Sequence, residues 1–478
     1  MSRSHSEGAR SGRPRPVGWI IIAAIVLAGT LAAPAGAQPI DEPKTYAGDL
    51  WSRPRLTGDW GGFRDTLATK GIRFDVDLLL SPQGVPTGGF DTGAEFWGNA
   101  EYTFNLDTGK AGLWPGGFLQ IKAISGFGDT VTSNVGALAF VNTGYLLPNS
   151  GAQGTGLENL TFMQFVSRQV GFIAGKVFTV DGFQGEFAGN FRTQFLNTGL
   201  TFPLAAALAP LSAYGGGVIV LPWQGVVLSA MALDPSGTAM NNDISEAFSD
   251  GVLVLASAKV DVKPFGLVGH QSVSGLWSNK ERPSLSQDPS NIVRGLFEEK
   301  FPRLADPGPV LRRIIERFFP GLLVPVQPLN QKSDTWAVFY NFDQYLWQPA
   351  GDPKRGIGLF FTFGASDGNP NPIKYSYNMG VGGNGVVPGR PNDTFGLGWA
   401  RTELSSQFVP FLRQNLPLGL NREDAVEMYY NAALTPWLNA TADLQIINPA
   451  LQKELGSNGQ LKNVDTAVVL GLRIYGRF

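Results

Sequence analysis

The chain has 478 residues, of which 43% are apolar and 16% charged, and its formal net charge is −2. This composition is too apolar for a disordered chain, and the lack of an excess of Lys and Arg argues against a nucleic-acid partner. Cysteine is absent, which excludes disulfides, thiolate metal sites, a cysteine nucleophile and a lipidated cysteine.

The N-terminus has the three parts of a secretory signal peptide. Four arginines precede an apolar run over residues 17–33, and small residues follow at Ala35 and Ala37. The pattern predicts a signal peptide over residues 1–37, whose removal leaves 33 basic and 38 acidic residues, a formal charge of −5. The alternative is an uncleaved anchor helix, since a run of this length just reaches across a bilayer.

Beyond the apolar run, no segment is long and apolar enough to cross a membrane as a helix. Instead, apolar and polar residues alternate with period two, as in strands whose faces meet different surroundings. In residues 95–107, for example, Phe96 and Phe104 share one face while Trp97 and Glu101 lie on the other. Comparable alternation recurs in residues 72–80, 119–123, 256–263, 335–343, 426–431 and 438–446, and more weakly in residues 160–167, 226–233 and 357–365.

Only helices and closed barrels satisfy every backbone polar group in lipid, so these strands predict an all-β fold, a transmembrane antiparallel β-barrel. At about 25 to 30 residues per strand and loop, the chain has room for about 16 strands. A Pro-rich loop insertion over residues 284–330 interrupts the pattern, and apolar residues at helical spacing within 310–319 predict a short helix in it. The alternative interpretation of this insertion is a plug or constriction element.

The last strand has the clearest alternation. Val468, Leu470 and Leu472 share an apolar face, whereas Arg473 and Arg477 lie on the opposite face. One face therefore suits lipid and the other a wet lumen. The strand ends the chain on an aromatic residue, Phe478, and in this it resembles the terminal signature of bacterial outer-membrane barrels.

The segment Leu56–Arg64 resembles the N-terminal signature of the carbohydrate-selective porin (OprB) family, with Asp59, Trp60, Gly61, Gly62 and Arg64 as the signature residues. Further blocks resemble the family in the same order, at residues 175–178, 187–190, 356–361, 365–369, 387–391, 436–437, 443–449 and 473. The resemblance implies a 16-stranded outer-membrane barrel for sugars, glucose in particular, with charged and aromatic side chains lining a narrowed lumen. It places a periplasmic lead-in at residues 38–55 and the barrel domain at residues 56–478.

Charged and aromatic residues on the polar strand faces are the candidates for binding a sugar in the lumen. Hydroxyl groups would bond to the charged side chains, and an aromatic face would lie under the sugar ring. For each residue alone, ordinary solvation of a wet lumen is the alternative interpretation. The candidates are Arg73, Asp75, Trp97, Glu101, Lys122, Asp261, Glu427, Asp443 and Arg473.

Little in the sequence indicates an enzyme. The predicted mature chain has one histidine, His270, without a nucleophile motif near it, so we predict no catalytic residues. One histidine and no cysteine leave little for a metal site, and the chain lacks a phosphate-binding loop, so we predict neither metal nor cofactor.

The function predicted from these features is passive, carbohydrate-selective diffusion of monosaccharides such as glucose, or of related polyols, through an outer-membrane porin. The expected partners are small neutral sugars and outer-membrane lipid, with a homotrimer as one form of assembly. Two alternatives stay open. One is a carbohydrate-binding barrel hydrolase, because the spacing of paired carboxylates is invisible in a sequence. The other is a non-conducting outer-membrane adhesin that uses the 284–330 loop.

Overall fold

The computed structural model describes residues 43–149, 153–287, 328–408, 419–455 and 461–478, together with the single positions 312, 313, 317 and 410. The predicted signal peptide lies outside these ranges, as does most of the 284–330 insertion, in which 312, 313 and 317 are helical. The signal peptide and the structure of the insertion therefore stay predictions. Among the described helices, none has the length and apolarity needed to span a bilayer.

Sixteen antiparallel strands form a closed barrel. The first eight are β1 (Ile72–Gly89), β2 (Gly93–Asp107), β3 (Gly117–Gly128), β4 (Gly154–Phe165), β5 (Val170–Phe178), β6 (Ser212–Val220), β7 (Val226–Leu233) and β8 (Leu253–Val262). The second eight are β9 (Gly269–Ser278), β10 (Thr335–Trp347), β11 (Gly356–Ser366), β12 (Ile373–Asn384), β13 (Thr394–Leu404), β14 (Arg422–Thr435), β15 (Leu438–Asn448) and β16 (Asp465–Arg477). The fold class and the strand number predicted from the sequence are confirmed.

Each strand pairs with its neighbour in the chain, and β16 closes the barrel by pairing with β1, where Asp77 lies opposite Arg477 and Leu80 opposite Ile474. The connections differ at the two ends of the barrel. The chain termini and seven short turns lie at one end, which we call the short-turn end. Most connections at the opposite, long-loop end are longer, among them residues 129–153, 179–211 and 279–334.

The two faces of the strands divide as the alternation predicts. Phe74, Phe96 and Leu472 lie on the outer wall, where 44%, 42% and 46% of their surfaces are exposed. Their neighbours Glu101 and Arg473 point to the interior and are buried. Outward apolar groups meet lipid and inward polar groups line the lumen, as a membrane barrel requires.

The lead-in to the first strand is fastened to the end of the last strand. Gly61 and Gly62 have φ angles of +68° and +88°, in the left-handed region that glycine enters without strain, and the bend leads into helix α1 (Phe63–Thr69). Within α1, Arg64 donates from Nη2 to Oδ1 of Asp75 at 2.8 Å and to the terminal carbonyl of Phe478 at 3.0 Å. The signature thus holds the start of the barrel against the end of its last strand.

Two of the connections at the long-loop end fold into the lumen. We call residues 129–149 the first inserted loop and residues 179–211 the second inserted loop; they include the short helices α2 (Thr132–Val135) and α3 (Thr198–Thr201). The first packs Val131 and Val141 against Ile447 and Val469 of the barrel wall. The interior of this barrel is therefore a packed core over part of its cross-section, and only the remainder is wet.

The remaining short elements lie in the connections. The 3-10 helices are Thr143–Leu146, Val180–Phe183, Leu204–Ala206, Ile244–Glu246 and Pro264–Gly266. Two small two-stranded ladders pair Arg282–Pro283 with Gln331–Lys332 and Lys453–Leu455 with Leu461–Asn463.

Candidate functional site: the constricted lumen

Two glutamates on β14 hold both inserted loops. The carboxylate of Glu423 accepts the backbone N–H groups of Leu138 and Ala139 at 2.7 and 2.9 Å. Four residues further along the same face, the carboxylate of Glu427 accepts those of Leu196 and Asn197 at 2.5 and 2.8 Å. Each carboxylate thus binds two consecutive amides, so one strand sets the position of both loops in the lumen.

Neighbouring strands strengthen this attachment. Arg473 on β16 donates to the carbonyls of Phe191 and Gln194 at 2.7 and 2.8 Å. Gln445 on β15 connects the two loops, because its carbonyl accepts from Asn197 at 3.0 Å and its amide donates to Val141 at 2.9 Å. Both inserted loops are consequently fixed to the barrel wall by buried hydrogen bonds.

Apolar contacts hold the second inserted loop against β10 as well as against β14. Phe187 packs edge-on against Tyr345 of β10 with ring centroids 4.8 Å apart, and Phe195 does the same against Tyr429 of β14 at 4.8 Å. These aromatic contacts add to the hydrogen bonds of β14 to β16. The loop therefore crosses the lumen between two anchored walls and narrows it.

A cavity of about 700 Å³, which we call the first cavity, lies between the second inserted loop and the wall formed by β1 to β3 and β13 to β16. At its constriction the loop and the wall are joined by ion pairs. Nζ of Lys122 lies 2.8 Å from Oδ2 of Asp181, and Arg192 pairs with Glu101. Loop and strand thus contribute one member each to both pairs.

A third ion pair lies at the short-turn end of the first cavity. Nε of Arg55, in the lead-in, donates to Oδ1 of Asp75 at 2.7 Å. Burial alone would lower the pKa of Arg55, but the charge and the hydrogen bond of Asp75, together with the charge of Asp77, outweigh burial and raise the pKa above its usual value. Nearby, the hydroxyl of Tyr475 donates to Asp77 at 2.8 Å.

The lining of the first cavity is balanced in charge. Four basic residues, Arg55, Lys122, Arg192 and Arg477, face four acidic ones, Asp75, Asp77, Glu101 and Asp181. Hydroxyl and amide groups fill the space between the charges, including Thr103, Asn105, Gln120, Asn190, Thr394 and Asn439. Such a lining offers many hydrogen bonds without a net field, which suits an uncharged polar solute.

The structure brings some of the predicted lumen residues together and separates others. Asp75, Glu101 and Lys122 line the first cavity. Arg73 lies on the lumen face of β1 near the short-turn end, and Asp261 lies beside His270 on the wall of β8 and β9. Glu427, Asp443 and Arg473 are buried beneath the second inserted loop, and Trp97 is buried against Tyr145 of the first inserted loop. Their roles in binding a sugar stay predictions.

Sequence reasoning missed Asp181 and Arg192, the two loop residues at the constriction. Neither residue lies in an alternating segment, so the pattern that predicts strand faces does not include them. One signal was available: residues 179–211 contain Phe187, Phe195 and a run of apolar residues in a connection between strands. An apolar connection has to be buried, and in a barrel the lumen is the place that can bury it.

Within the described ranges, no group of three or more His, Asp or Glu side chains is arranged to hold a metal ion. Three of the four acidic residues of the first cavity are instead paired with Arg55, Lys122 and Arg192, and the fourth, Asp77, accepts from Tyr475. What this arrangement offers chemically is a set of fixed hydrogen-bond donors and acceptors around a narrowed passage.

Comparison with known proteins identifies the family. The family model described as carbohydrate-selective porin, OprB family, matches residues 92–478. The chain belongs to this family. Its fold also matches OprB of Pseudomonas putida: the high-pH structure has a TM-score of 0.71 at 19% identity, and the low-pH structure 0.54 at 16%. Each match covers 90% of this chain and 99% of the P. putida chain.

Among curated proteins, Porin B of Pseudomonas aeruginosa is 30% identical over 139 residues, which are 26% of this chain. This chain thus matches only 28% of the length of Porin B. The OprB family and the barrel are those of a channel protein of the outer membrane. In such barrels the short turns face the periplasm, so the first cavity, with the lead-in and Arg477 in its lining, opens toward the periplasmic end.

Proposed function

We propose that this OprB-family protein lets monosaccharides such as glucose, or related polyols, diffuse passively across the outer membrane. The observation that carries the proposal is the charge-balanced lining of the first cavity at the constriction, which is rich in hydrogen-bonding groups. A lumen built for anions would carry an excess of Arg and Lys, and one for cations an excess of Asp and Glu.

The ion pairs explain how a neutral sugar is favoured. Arg192 with Glu101, and Lys122 with Asp181, each present a donor group and an acceptor group close together. A sugar hydroxyl both donates and accepts, so it can bond to either member of a pair. Because the paired charges already compensate each other, a small ion gains little electrostatic free energy by entering. A polyol, in contrast, exchanges its hydrogen bonds to water for hydrogen bonds to the lining.

We assign the predicted lumen residues two roles on this basis. Asp75, Glu101 and Lys122 contact the diffusing sugar, together with Asp181 and Arg192. Glu427, Asp443 and Arg473 set the width of the passage indirectly, because they are buried where the second inserted loop meets the wall. The same aromatic and hydrogen-bonded contacts make the loop a rigid limit on solute size.

The test is swelling of liposomes that contain the purified protein. We expect faster swelling in glucose than in a trisaccharide of equal osmolarity. Arg192→Ala removes the longest side chain at the constriction and leaves Glu101 without its partner, so we expect a smaller difference between the two sugars and a shift of ion selectivity toward cations.

The matched control is Arg168→Ala, which removes the same charge from an exposed turn; we expect it to behave as the wild type. Equal swelling rates in glucose and the trisaccharide for the wild-type protein would reject the proposal. Release of reducing sugar from an oligosaccharide would instead support the hydrolase alternative, and a protein without any conductance would support the adhesin.

A further inference from the structure

A second cavity lies on the other side of the second inserted loop. Its volume is about 310 Å³, and its wall is formed by β7 to β12. The loop bounds it twice, through residues 181–189 and again through residues 200–203. Asp181 and Gln184 contribute to both cavities. The loop that narrows the lumen therefore also encloses a separate polar space against the opposite wall.

The wall of the second cavity carries one continuous row of polar side chains. The register pairs five residues in sequence across five neighbouring strands, and all five line the cavity: Lys259, Ser272, Asn341, Thr362 and Asn378. Neighbouring strands lie about 4.8 Å apart, so the row presents ammonium, hydroxyl and amide groups at regular intervals. Such a row can contact several hydroxyl groups of one ligand at once.

Some hydrogen-bonding groups in this row have no partner among the residues that the structure describes. Within the described residues, Lys259 makes neither an ion pair nor a side-chain hydrogen bond, unlike Lys122 of the first cavity. Asn378 is 3% exposed; its amide nitrogen donates to the carbonyl of Gly199 at 3.0 Å, and its Oδ1 has no hydrogen-bond partner among those residues. A buried polar atom without a partner is costly, so this end of the row carries unused hydrogen-bonding capacity beside the second cavity.

The next row toward the short-turn end adds an oriented acid–base pair. Nδ1 of His270 lies 2.6 Å from Oδ1 of Asp343, and both residues line the second cavity. On the other side of the ring, Nε2 of His270 lies 3.8 Å from Oδ1 of Asp261. Because Asp343 engages the imidazole and also accepts from the backbone of Glu186 at 3.4 Å, this carboxylate is already compensated, and the cavity does not demand a cationic ligand.

Aromatic rings from the loop and the wall complete the second cavity. Phe183 and Phe202 meet edge to face with centroids 4.8 Å apart, and Phe360 lies on the wall of β11. Rings that border a set of hydroxyl, amide and ammonium groups match a sugar, which has apolar C–H faces and a polar rim. The volume is at the lower end of the range for small-molecule sites, about 300 to 1,000 Å³, which limits the ligand to a single ring.

We infer that the second cavity is a saccharide-binding site distinct from the constriction of the first cavity, and that it holds one neutral, monosaccharide-sized polyol. The Lys259 to Asn378 row binds the hydroxyl groups, and the phenylalanines pack on the ring. This inference rests on the proposed function, since sugar must enter the lumen to reach the site. The second cavity would retain a sugar beside the passage that runs through the first cavity.

The experiment is a glucose titration of the ionic current through single channels in a planar bilayer. The variant Thr362→Val removes one hydroxyl at nearly constant shape, and Asn341→Leu removes an amide of similar size. For the double variant we expect the glucose concentration that gives half of the current change to rise roughly tenfold, as for the loss of two ligand hydrogen bonds.

Thr155→Val is the matched control, because Thr155 lies at the long-loop end of β4 and lines neither cavity; its titration should follow the wild type. Heat-dependent electrophoretic mobility verifies that each barrel is folded, and Thr362→Val alone, as the mildest change, should show a smaller shift of the same sign. Unchanged glucose titration in the folded double variant overturns the second site. If wild-type liposomes also exclude glucose, the proposed function fails with it; if they admit glucose, only the second site is rejected.

Discussion

Two carboxylates on one strand decide where the lumen narrows, and Glu427 gives the clearest test at the scale of single residues. Glu427→Gln replaces one acceptor oxygen by a donor, so one of the amides of Leu196 and Asn197 loses its bond. An unpaired buried amide costs about 1 to 3 kcal/mol. We expect the second inserted loop to loosen while the barrel stays closed, giving a larger and noisier single-channel conductance.

The control for Glu427→Gln is Glu246→Gln, which makes the same chemical change in an exposed connection; its conductance should match the wild type. Glu423→Gln should loosen the first inserted loop in the same way, because Glu423 binds Leu138 and Ala139. A quiet, unchanged conductance for Glu427→Gln would show that the loop keeps its position without Glu427, through its aromatic contacts and its hydrogen bonds to Arg473 and Gln445.

At the scale of elements, the strands were predictable and the inserted loops were not. Alternation along β2 or β16 is a local property, because each side chain meets lipid or the lumen according to its parity. The contacts that hold the loops join distant parts of the chain, as where Glu427 binds the backbone of Leu196 and Asn197. No period in the sequence marks such a pairing. The strand faces that carry the candidate residues were therefore predictable, whereas Asp181 and Arg192 in the second inserted loop were not.

Substitutions on the outer face of β16 and on the lumen face of β2 test the assignment of the two strand faces directly. Leu472 lies on the outer wall, so Leu472→Arg places a charge in lipid and should lower the free energy of unfolding by about 2 to 4 kcal/mol near the bilayer midplane. Thr103→Arg adds the same side chain on the lumen face of β2, within the first cavity. We expect it to reduce conductance and leave stability nearly unchanged, as measured by denaturant unfolding in lipid vesicles.

Equal losses of stability for Leu472→Arg and Thr103→Arg would contradict the assignment of the two faces. Leu472→Ala separates the effect of the charge from the loss of the leucine side chain. Since Leu472 contacts lipid rather than a protein core, this truncation should cost much less than the arginine.

At the scale of the whole molecule, the barrel combines a closed sheet with an interior that is partly core and partly passage. The inserted loops bury Val131, Val141, Phe187 and Phe195 against the wall, and this packing leaves two polar cavities on opposite sides of the second inserted loop. Selectivity thus follows from how the loops fill the barrel as well as from the strands. A sequence that reveals sixteen strands fixes the diameter of the barrel but leaves the width of its lumen undetermined.

The seam of the barrel depends on a contact between the two ends of the chain, and Arg64 is its centre. Its guanidinium lies between the rings of Tyr46 and Trp60, at 4.2 and 4.9 Å, and also binds Asp75 and Phe478. Arg64→Lys keeps the charge but loses the planar fork and the stacking. We expect the barrel to unfold at a lower temperature in gel-shift assays while its conductance stays close to that of the wild type, because Arg64 lies outside both cavities and Arg55 still pairs with Asp75.

The comparison for Arg64→Lys is Lys70→Ala, which removes an exposed basic side chain directly after the same helix, α1. This change should leave the unfolding temperature unchanged. Truncating Phe478 should reproduce the loss caused by Arg64→Lys, and the two changes together should cost less than their sum, since both remove the same contact. Additive losses would mean that the signature and the terminal residue stabilise the barrel independently, through contacts that they do not share.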